Sequence, residues 1–279
     1  MHGTASTSQF VRDTGVTPVG DGRYDAVCSG EWSAPTGPNG GYLAAIVLRA
    51  MLAEVADPAR EARSLTLHYL RSPAPGPVEV LVTVERTGRT MSTATARLEQ
   101  GGKPCVLAIG AFGAPFEAAA AYAAAPPRVE GWETIKPARD DPRFPPISRR
   151  LEVRRAIGGR VFGGAPEADS GGYVRLREPA PFDAPLLALM VDAWLPAVFA
   201  YLTYPALAPT IELTIHFRAP VAAAALAPDT QLLARFTSRT AADGYAEEDG
   251  WIWAPDGTLL AQSRQLHLLR AIEMGGGPA

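Results

Sequence analysis

One acidic residue interrupts the most apolar segment of the chain. Asp192 is the only Asp or Glu between Pro185 and Tyr204, a stretch in which leucine and alanine predominate. Burial among apolar side chains raises the pKa of a carboxyl group, whereas hydrogen bonds to the carboxylate lower it. Such a group is suited to act as a general base. It is also compatible with an ion pair to an interior arginine, or with a position on an exposed helical stripe.

A second candidate lies at the start of a predicted helix, where the chain runs GPNGGY. Two glycines at this point leave backbone N–H groups uncovered at the positive end of the helix dipole, where they can bind an anionic oxygen. The amides in question are those of Gly40, Gly41 and Tyr42. The alternative is that the two glycines only permit a tight turn from loop into helix.

Other classes of site find little support in the sequence. There is no GxSxG motif, no HExxH motif and no Cys/His cluster, so we expect neither a serine-hydrolase elbow nor a metal. The formal net charge of −3 argues against a nucleic-acid partner. Cys28 and Cys105 form no CxxC pair and are expected to be buried in a reducing compartment, although a disulfide stays open. The N-terminus lacks the apolar region of a secretory signal, and no segment comfortably spans a bilayer. We therefore expect a soluble cytoplasmic protein.

Hydrophobic periodicity predicts the elements around these residues. A helical pattern covers residues 41–55, and a second, interrupted near Pro196, covers 186–202. Alternating patterns predict strands at 23–32, 65–70, 78–88, 92–100, 103–112, 150–157, 172–177, 210–217, 231–238, 248–254 and 259–269. Between the two groups, residues 114–146 are rich in proline and alanine. We expect a connector there, partly helical at its alanines, between an N-terminal domain (1–113) and a C-terminal domain (147–279).

The two groups contain nearly the same phrase. Residues 65–73 are LTLHYLRSP and residues 213–220 are LTIHFRAP, and each follows a helical segment and precedes further strands. The helix at 186–202 is apolar around almost its whole circumference, so a sheet must wrap it. These features predict an α+β fold of two fused hotdog units, a tandem or double hotdog. Its two antiparallel sheets would join edge to edge, and the functional cleft would lie between the halves.

Several segments, in this order and spacing, resemble the double-hotdog acyl-CoA thioesterases, especially the acyl-CoA thioesterase II group. They are PNGGYLAAIVLRA, LTLHYLRSP, GGKPCVLAIGAF, PTIELTIHFRAP and DGTLLAQSRQLHLLR. The resemblance implies hydrolysis of an acyl-CoA thioester to a carboxylic acid and CoA. It also implies a catalytic trio of Asp, Thr and Gln, which falls on Asp192, Thr210 and Gln265. By the same resemblance, Gly40, Gly41 and Tyr42 would supply oxyanion donors, with one competent site per chain.

The resemblance also implies that no cofactor is needed, because coenzyme A enters as part of the substrate. Homodimers or homotetramers are expected. Arg71, Arg218 and Arg264 are candidates to bind the CoA phosphates. Two other functions stay open: a non-catalytic acyl-CoA or lipid-binding hotdog protein, and a hotdog enoyl-CoA hydratase or dehydratase. The chain lacks the Asp/His motif typical of the latter.

Overall fold

The computed structural model describes residues 8–117, 119–220 and 226–272. The first seven residues, on which the expected absence of a secretory signal partly rests, lie outside this range. Within it, no helix is long and apolar enough to cross a membrane.

Among its described residues, the N-terminal half contains two α-helices and eight strands. They are α1 Gln9–Asp13, β1 Thr17–Gly20, β2 Arg23–Cys28, β3 Ser33–Ala34, β4 Gly37–Pro38, α2 Gly40–Val55, β5 Glu61–Tyr69, β6 Gly76–Thr87, β7 Met91–Gln100 and β8 Lys103–Gly113. In the part of the C-terminal half that the structure describes, there are two α-helices and nine strands. They are β9 Leu151–Gly158, β10 Ala168–Leu176, α3 Ala184–Met190, α4 Val198–Tyr201, β11 Ala206–Leu207, β12 Thr210–Phe217, β13 Leu232–Ser238, β14 Ala241–Ala242, β15 Tyr245–Trp253, β16 Leu259–Leu268 and β17 Arg270–Ala271.

Among the described residues, the main strands form one antiparallel sheet that both halves share. Its order is β1-β2-β6-β7-β8-β5-β12-β16-β15-β13-β10-β9, with β14 paired to β15. From the centre outward, the strands of the N-terminal half follow the order β5, β8, β7, β6, β2, β1. The corresponding strands of the C-terminal half are β12, β16, β15, β13, β10 and β9. The two halves therefore repeat one strand order about a pseudo-twofold axis between β5 and β12. The predicted α+β double hotdog, with its sheets joined edge to edge, is confirmed.

The repeated phrase lies at this axis. In the pairing of β5 with β12, Thr66 faces Thr214 and their hydroxyl oxygens are 3.0 Å apart. Since side chains alternate across a strand, the leucines and isoleucine beside them point to the other face, where Leu67 and Leu213 are fully buried. Each copy of the phrase thus closes the joint between the sheets and covers the helices behind them.

Helix α2 begins and ends at residues suited to those positions. The side chain of Asn39 accepts a hydrogen bond from the Tyr42 N–H, as an N-cap residue does, and Ala56 closes the helix in the left-handed region at φ 51°. Apolar residues lie on every side of the helix and are buried, including Leu43, Ile46 and Met51. A helix of this kind is stable only when the sheet wraps it.

The second predicted helix is shorter than expected. Helix α3 ends at Met190, well before Pro196, and Asp192 lies in the following turn rather than on a helix. The amides of Asp192 and Ala193 bond three residues back, to the carbonyls of Leu189 and Met190. This tighter pattern is typical of a terminating helix. A four-residue helix, α4, follows the proline.

The connector also differs from its prediction. The alanines at residues 119–125 are not helical, and residue 118 lies outside the described part. A run this short is a marginal helix in water, and Pro126-Pro127 disfavours helical geometry in the residue before it. Instead of forming a helical hydrogen bond, the carbonyl of Ala124 accepts a hydrogen bond from the Trp253 indole N–H at 2.9 Å. The connector thus lies along the outer face of the C-terminal sheet. Outside the alanines the connector forms no strand among its described residues, and a short 3-10 helix at Trp132–Thr134 departs from the extended conformation that we predicted.

Candidate active site

The carboxylate of Asp192 contacts the start of helix α2 from the other half of the chain. Its Oδ2 atom accepts hydrogen bonds from the Gly41 backbone N–H and from the Asn39 side-chain amide, both at 2.8 Å. The Asn39 amide also donates to the Asp192 backbone carbonyl at 2.8 Å. Asn39 therefore caps α2 and holds the turn that carries the acid.

The two glycines are required by this close approach. A Cβ atom on Gly41 would lie 2.6 Å from the Ala188 carbonyl oxygen and 2.9 Å from the Asp192 Cβ. One on Gly40 would lie 3.0 Å from both Asp192 Oδ2 and the Tyr69 hydroxyl. That hydroxyl donates to the Gly40 carbonyl at 2.8 Å and so fixes the first turn of the helix. The two glycines therefore permit the close packing of α2 and expose the Gly41 amide to Asp192. Their role toward a substrate oxyanion stays a prediction.

Thr210 and Gln265 reach the same place from two neighbouring strands. Thr210 opens β12, where an irregularity in register separates it from Glu212. Gln265 lies on the buried face of β16 and is 3% exposed. The Thr210 hydroxyl donates to the Gln265 carboxamide oxygen at 3.0 Å.

A cavity of about 370 Å³ lies between these elements. Asp192, Thr210 and Gln265 all line it, although they come from the turn after α3, from β12 and from β16. Gly40 lines it from the opposite half. Its remaining wall includes apolar side chains, among them Leu43, Trp194 and Phe199. The structure thus brings together the acid, the hydroxyl and the carboxamide beside the N-terminus of a buried helix.

Both halves of the chain match family models. Residues 28–113 match the acyl-CoA thioesterase N-terminal domain, and residues 120–269 match the acyl-CoA thioesterase C-terminal domain. The chain belongs to the acyl-CoA thioesterase family. As a member of this family it is a thioester hydrolase that acts on acyl-CoA. Among curated proteins, none matches the thioesterase in sequence.

Solved structures resemble the thioesterase over nearly its whole length. A conserved protein of unknown function with a hot dog fold from Alicyclobacillus acidocaldarius is 25% identical, with a TM-score of 0.86 and coverage of 95% of this chain and 99% of that one. A putative thioesterase II from Thermobifida fusca is 28% identical, with a TM-score of 0.81 and coverage of 96% and 99%. An acyl-CoA thioesterase II from Mycobacterium marinum, 20% identical at a TM-score of 0.75 and coverage of 95% and 99%, shares the fold.

The surroundings of Asp192 alter its proton affinity. Burial raises the pKa of Asp192 from its ordinary 3.8 to about 6. The Gly41 N–H, the nearby His267 and the Gln265 carboxamide favour the carboxylate and lower the pKa, whereas Glu248 raises it further. The sequence left the net direction open because these effects oppose one another. In the thioesterase, burial is the larger effect.

The three amides predicted as oxyanion donors have different partners. The Gly41 N–H donates to Asp192, and the Tyr42 N–H donates to the capping Asn39. The Gly40 N–H has no hydrogen-bond acceptor among the described residues, and Gly40 lines the cavity. Of the three, the amide of Gly40 is therefore the one available to a bound substrate.

The three arginines that are candidates to bind the CoA phosphates differ in position and partners. Arg71 lies at the cavity, is exposed, and forms no ion pair with any described residue. Arg218 instead donates to Gln262, and Arg264 pairs with Asp249 and Glu247. Arg71 is thus the candidate placed to meet an anionic ligand.

Other residues of the site were not identified from the sequence. Asn39 could have been found from the preference of asparagine for N-cap positions. Glu248 and His267, both lining the cavity, had no local motif to mark them. Cys28 and Cys105 are buried and free, as expected. Among the described residues, no group of three or more His, Cys, Asp or Glu is placed to hold a metal.

The raised pKa of Asp192 predicts a gain in stability for Asp192→Asn. An ionised carboxylate with a folded-state pKa above its unfolded value costs folding free energy, and this cost appears as pH rises from about 4 to 6. We expect the variant to exceed the wild type by about 3 kcal/mol in free energy of unfolding at pH 8, with the difference vanishing below pH ~4. Denaturant unfolding at both pH values measures it. The exposed Asp25→Asn is the control, and a gain of equal size at pH 4 and 8 would contradict the assignment.

Proposed function

We propose that this thioesterase hydrolyses its acyl-CoA substrate through a water molecule held by Asp192, Thr210 and Gln265. The observation that carries the proposal is the convergence of these three side chains on one cavity that Gly40, at the start of α2, also lines. Asp192, with a pKa of about 6, is ionised at neutral pH and can accept the proton of that water.

Thr210 and Gln265 suit the task of orienting the water. Because the Gln265 carboxamide oxygen accepts from Thr210, its NH₂ group faces the cavity side, where Asp192 lies. Neither group competes for the proton at neutral pH. The water oxygen forms a bond to the acyl carbon, the carbon–sulfur bond breaks, and the departing thiolate recovers the proton from Asp192.

The negative charge on the carbonyl oxygen needs a donor, and we assign this role to the Gly40 N–H. It lies at the positive end of the 16-residue helix α2. Removing one such donor costs roughly a hundredfold to a thousandfold in rate. Gly41 supports the acid through its own amide. This reaction requires no metal or prosthetic group, because coenzyme A belongs to the substrate.

The setting of the reaction is part of the proposal. Two free, buried cysteines are compatible with the reducing cytoplasm in which we place the enzyme. Assembly into homodimers or homotetramers stays a prediction, and size-exclusion chromatography with light scattering measures it.

A panel of acyl-CoAs of increasing chain length tests the function. We expect release of free thiol from at least one member, and no hydration of the matching enoyl-CoA. Hydration of enoyl-CoA without thiol release would favour the hydratase. Binding without turnover of any member, unaffected by Asp192→Asn, would favour the non-catalytic lipid-binding protein.

We further predict that Arg71 binds the phosphates of coenzyme A. Arg71→Gln should raise KM for acyl-CoA about tenfold, since a charge-assisted hydrogen bond is worth roughly 1.5–3 kcal/mol, with little change in kcat. Acyl-pantetheine, which lacks the nucleotide, should show no such rise. Steady-state kinetics with both substrates measure this, and Arg218→Gln is the matched control. An equal rise for both substrates would assign Arg71 a role other than phosphate binding.

A further inference from the structure

Two ionisable side chains lie buried beside the cavity, and the proposed reaction does not use them. Glu248 on β15 is 4% exposed and His267 on β16 is 3% exposed. The His267 Nε2 and Glu248 Oε1 atoms are 3.8 Å apart. This distance is within ion-pair range but too long for a hydrogen bond, and Nε2 has no hydrogen-bond partner among the described residues.

The pair contacts both sides of the candidate site. The second oxygen of Glu248 accepts a hydrogen bond from the Ala197 N–H at 2.5 Å, five residues beyond Asp192. The His267 Nδ1 atom is 3.5 Å from the Thr210 hydroxyl. Glu248 thus anchors the segment that carries the acid, and His267 lies against the residue that orients Gln265.

Burial makes the charges of this pair consequential. A buried carboxylate without a compensating charge is costly, whereas a carboxylate facing an imidazolium is neutral as a pair. Asp192 is the other acid near them, and it interacts with both His267 and Glu248. Tyr69 also faces Asp192. Burial of its hydroxyl and, to a smaller extent, the charge of Asp192 raise the pKa of Tyr69 well above its ordinary value, so Tyr69 stays neutral.

We propose that Glu248 and His267 form a buried ion pair that positions Thr210 and the Asp192 turn, and that the imidazolium compensates the charge of Asp192. Glu248 and His267 are positioning residues in this arrangement. The part that concerns Asp192 rests on the proposed function.

The proton affinity of the ring agrees with this arrangement. Burial favours the neutral ring, but the Glu248 carboxylate, with Asp192 and the Ala208 carbonyl, outweighs it and raises the pKa of His267 above 6.5. In return, His267 lowers the pKa of Asp192. A positive charge in this place therefore extends the pH range in which the acid is ionised.

An NMR titration tests the ion pair without any substrate. In protein with ¹⁵N-labelled histidine, the resonances that His267→Gln removes identify the ring among the four histidines. We expect His267 to be protonated at pH 7 in the wild type. In Glu248→Gln its proton affinity should fall at least tenfold. A neutral His267 at pH 7 in the wild type, or a titration unchanged by Glu248→Gln, would overturn the proposal whatever the enzyme hydrolyses.

Rate profiles test the effect on Asp192. In His267→Gln the uncompensated Glu248 should shift the acidic limb of kcat/KM to higher pH, by about one pH unit. In the double variant with Glu248→Gln, which removes both charges, the limb should return toward its wild-type position. If the losses of activity in the two single variants add in the double variant, and the acidic limb does not move, then Glu248 and His267 contribute only packing.

Stability measurements keep this test decisive. If His267→Gln alone fails to fold while the double variant folds, the uncompensated carboxylate is the cause, as the ion pair requires. If both fail, His267 is identified as the histidine whose resonances remain in His2→Gln, His68→Gln and His216→Gln, and the titration of the wild type and of Glu248→Gln decides. A double variant less stable than His267→Gln would contradict the proposal.

Discussion

Asp192→Asn is expected to lower kcat for acyl-CoA hydrolysis by roughly a hundredfold to ten-thousandfold, with little change in KM. The amide keeps the shape of the side chain, and its oxygen can still accept from the Gly41 N–H. It cannot accept a proton from water, and general-base assistance is worth this much. Steady-state assays of thiol release measure the effect, with the exposed Asp25→Asn as control.

The same residue predicts the pH profile of the wild type. Because burial raises the pKa of Asp192 to about 6, kcat/KM should fall as pH drops through that value and should be level above it. Substantial activity in Asp192→Asn, or an acidic limb near pH 4, would mean that another group accepts the proton.

Gly41→Ala is expected to have the second largest effect, because it changes both stability and rate. The added Cβ would meet the Ala188 carbonyl oxygen at 2.6 Å and the Leu189 carbonyl oxygen at 2.9 Å. These are backbone atoms, so helices α2 and α3 must separate. Overpacking of this kind costs about 1–3 kcal/mol. The Gly41 N–H would also move away from Asp192, and a displacement of about 1 Å in a site can cost a hundredfold in rate.

Thermal unfolding and kcat are the measurements for this variant. Gly30→Ala is the matched control, since a Cβ there has its nearest contact with Pro75 Cγ at 3.4 Å, which is ordinary van der Waals contact. If Gly41→Ala retains wild-type stability and rate, the two helices do not depend on this close approach.

Much of the fold could be predicted from local patterns. The long strands β5 to β8 and the start of α2 follow from periodicity and capping, which act over a few positions. The strand predicted at 23–32 ends earlier, at Cys28, and residues Gly30–Trp32 form a short 3-10 helix instead. The repeated phrase predicted a duplicated fold because both copies have the same task, which is to close the joint between the sheets.

Two elements were predicted wrongly for related reasons. The end of α3 at Met190 and the non-helical alanines at residues 119–125 depend on partners distant in sequence. Asn39 binds the turn that carries Asp192, and the Trp253 side chain binds the connector backbone. A helical pattern describes only the propensity of its own residues, and tertiary contacts of this kind override it.

The sequence by itself determined the residue types of the candidate site, through Asp192 in an apolar segment, the paired glycines and the resemblance that named Thr210 and Gln265. Tertiary structure alone decided that Gly40, rather than Gly41 or Tyr42, keeps an available amide N–H. It also placed Glu248 and His267 at the same cavity. The physical reason is that hydrogen-bond partners and burial are set by distances between strands and helices. These elements lie far apart in the chain, and only the folded double hotdog brings them within a few ångströms.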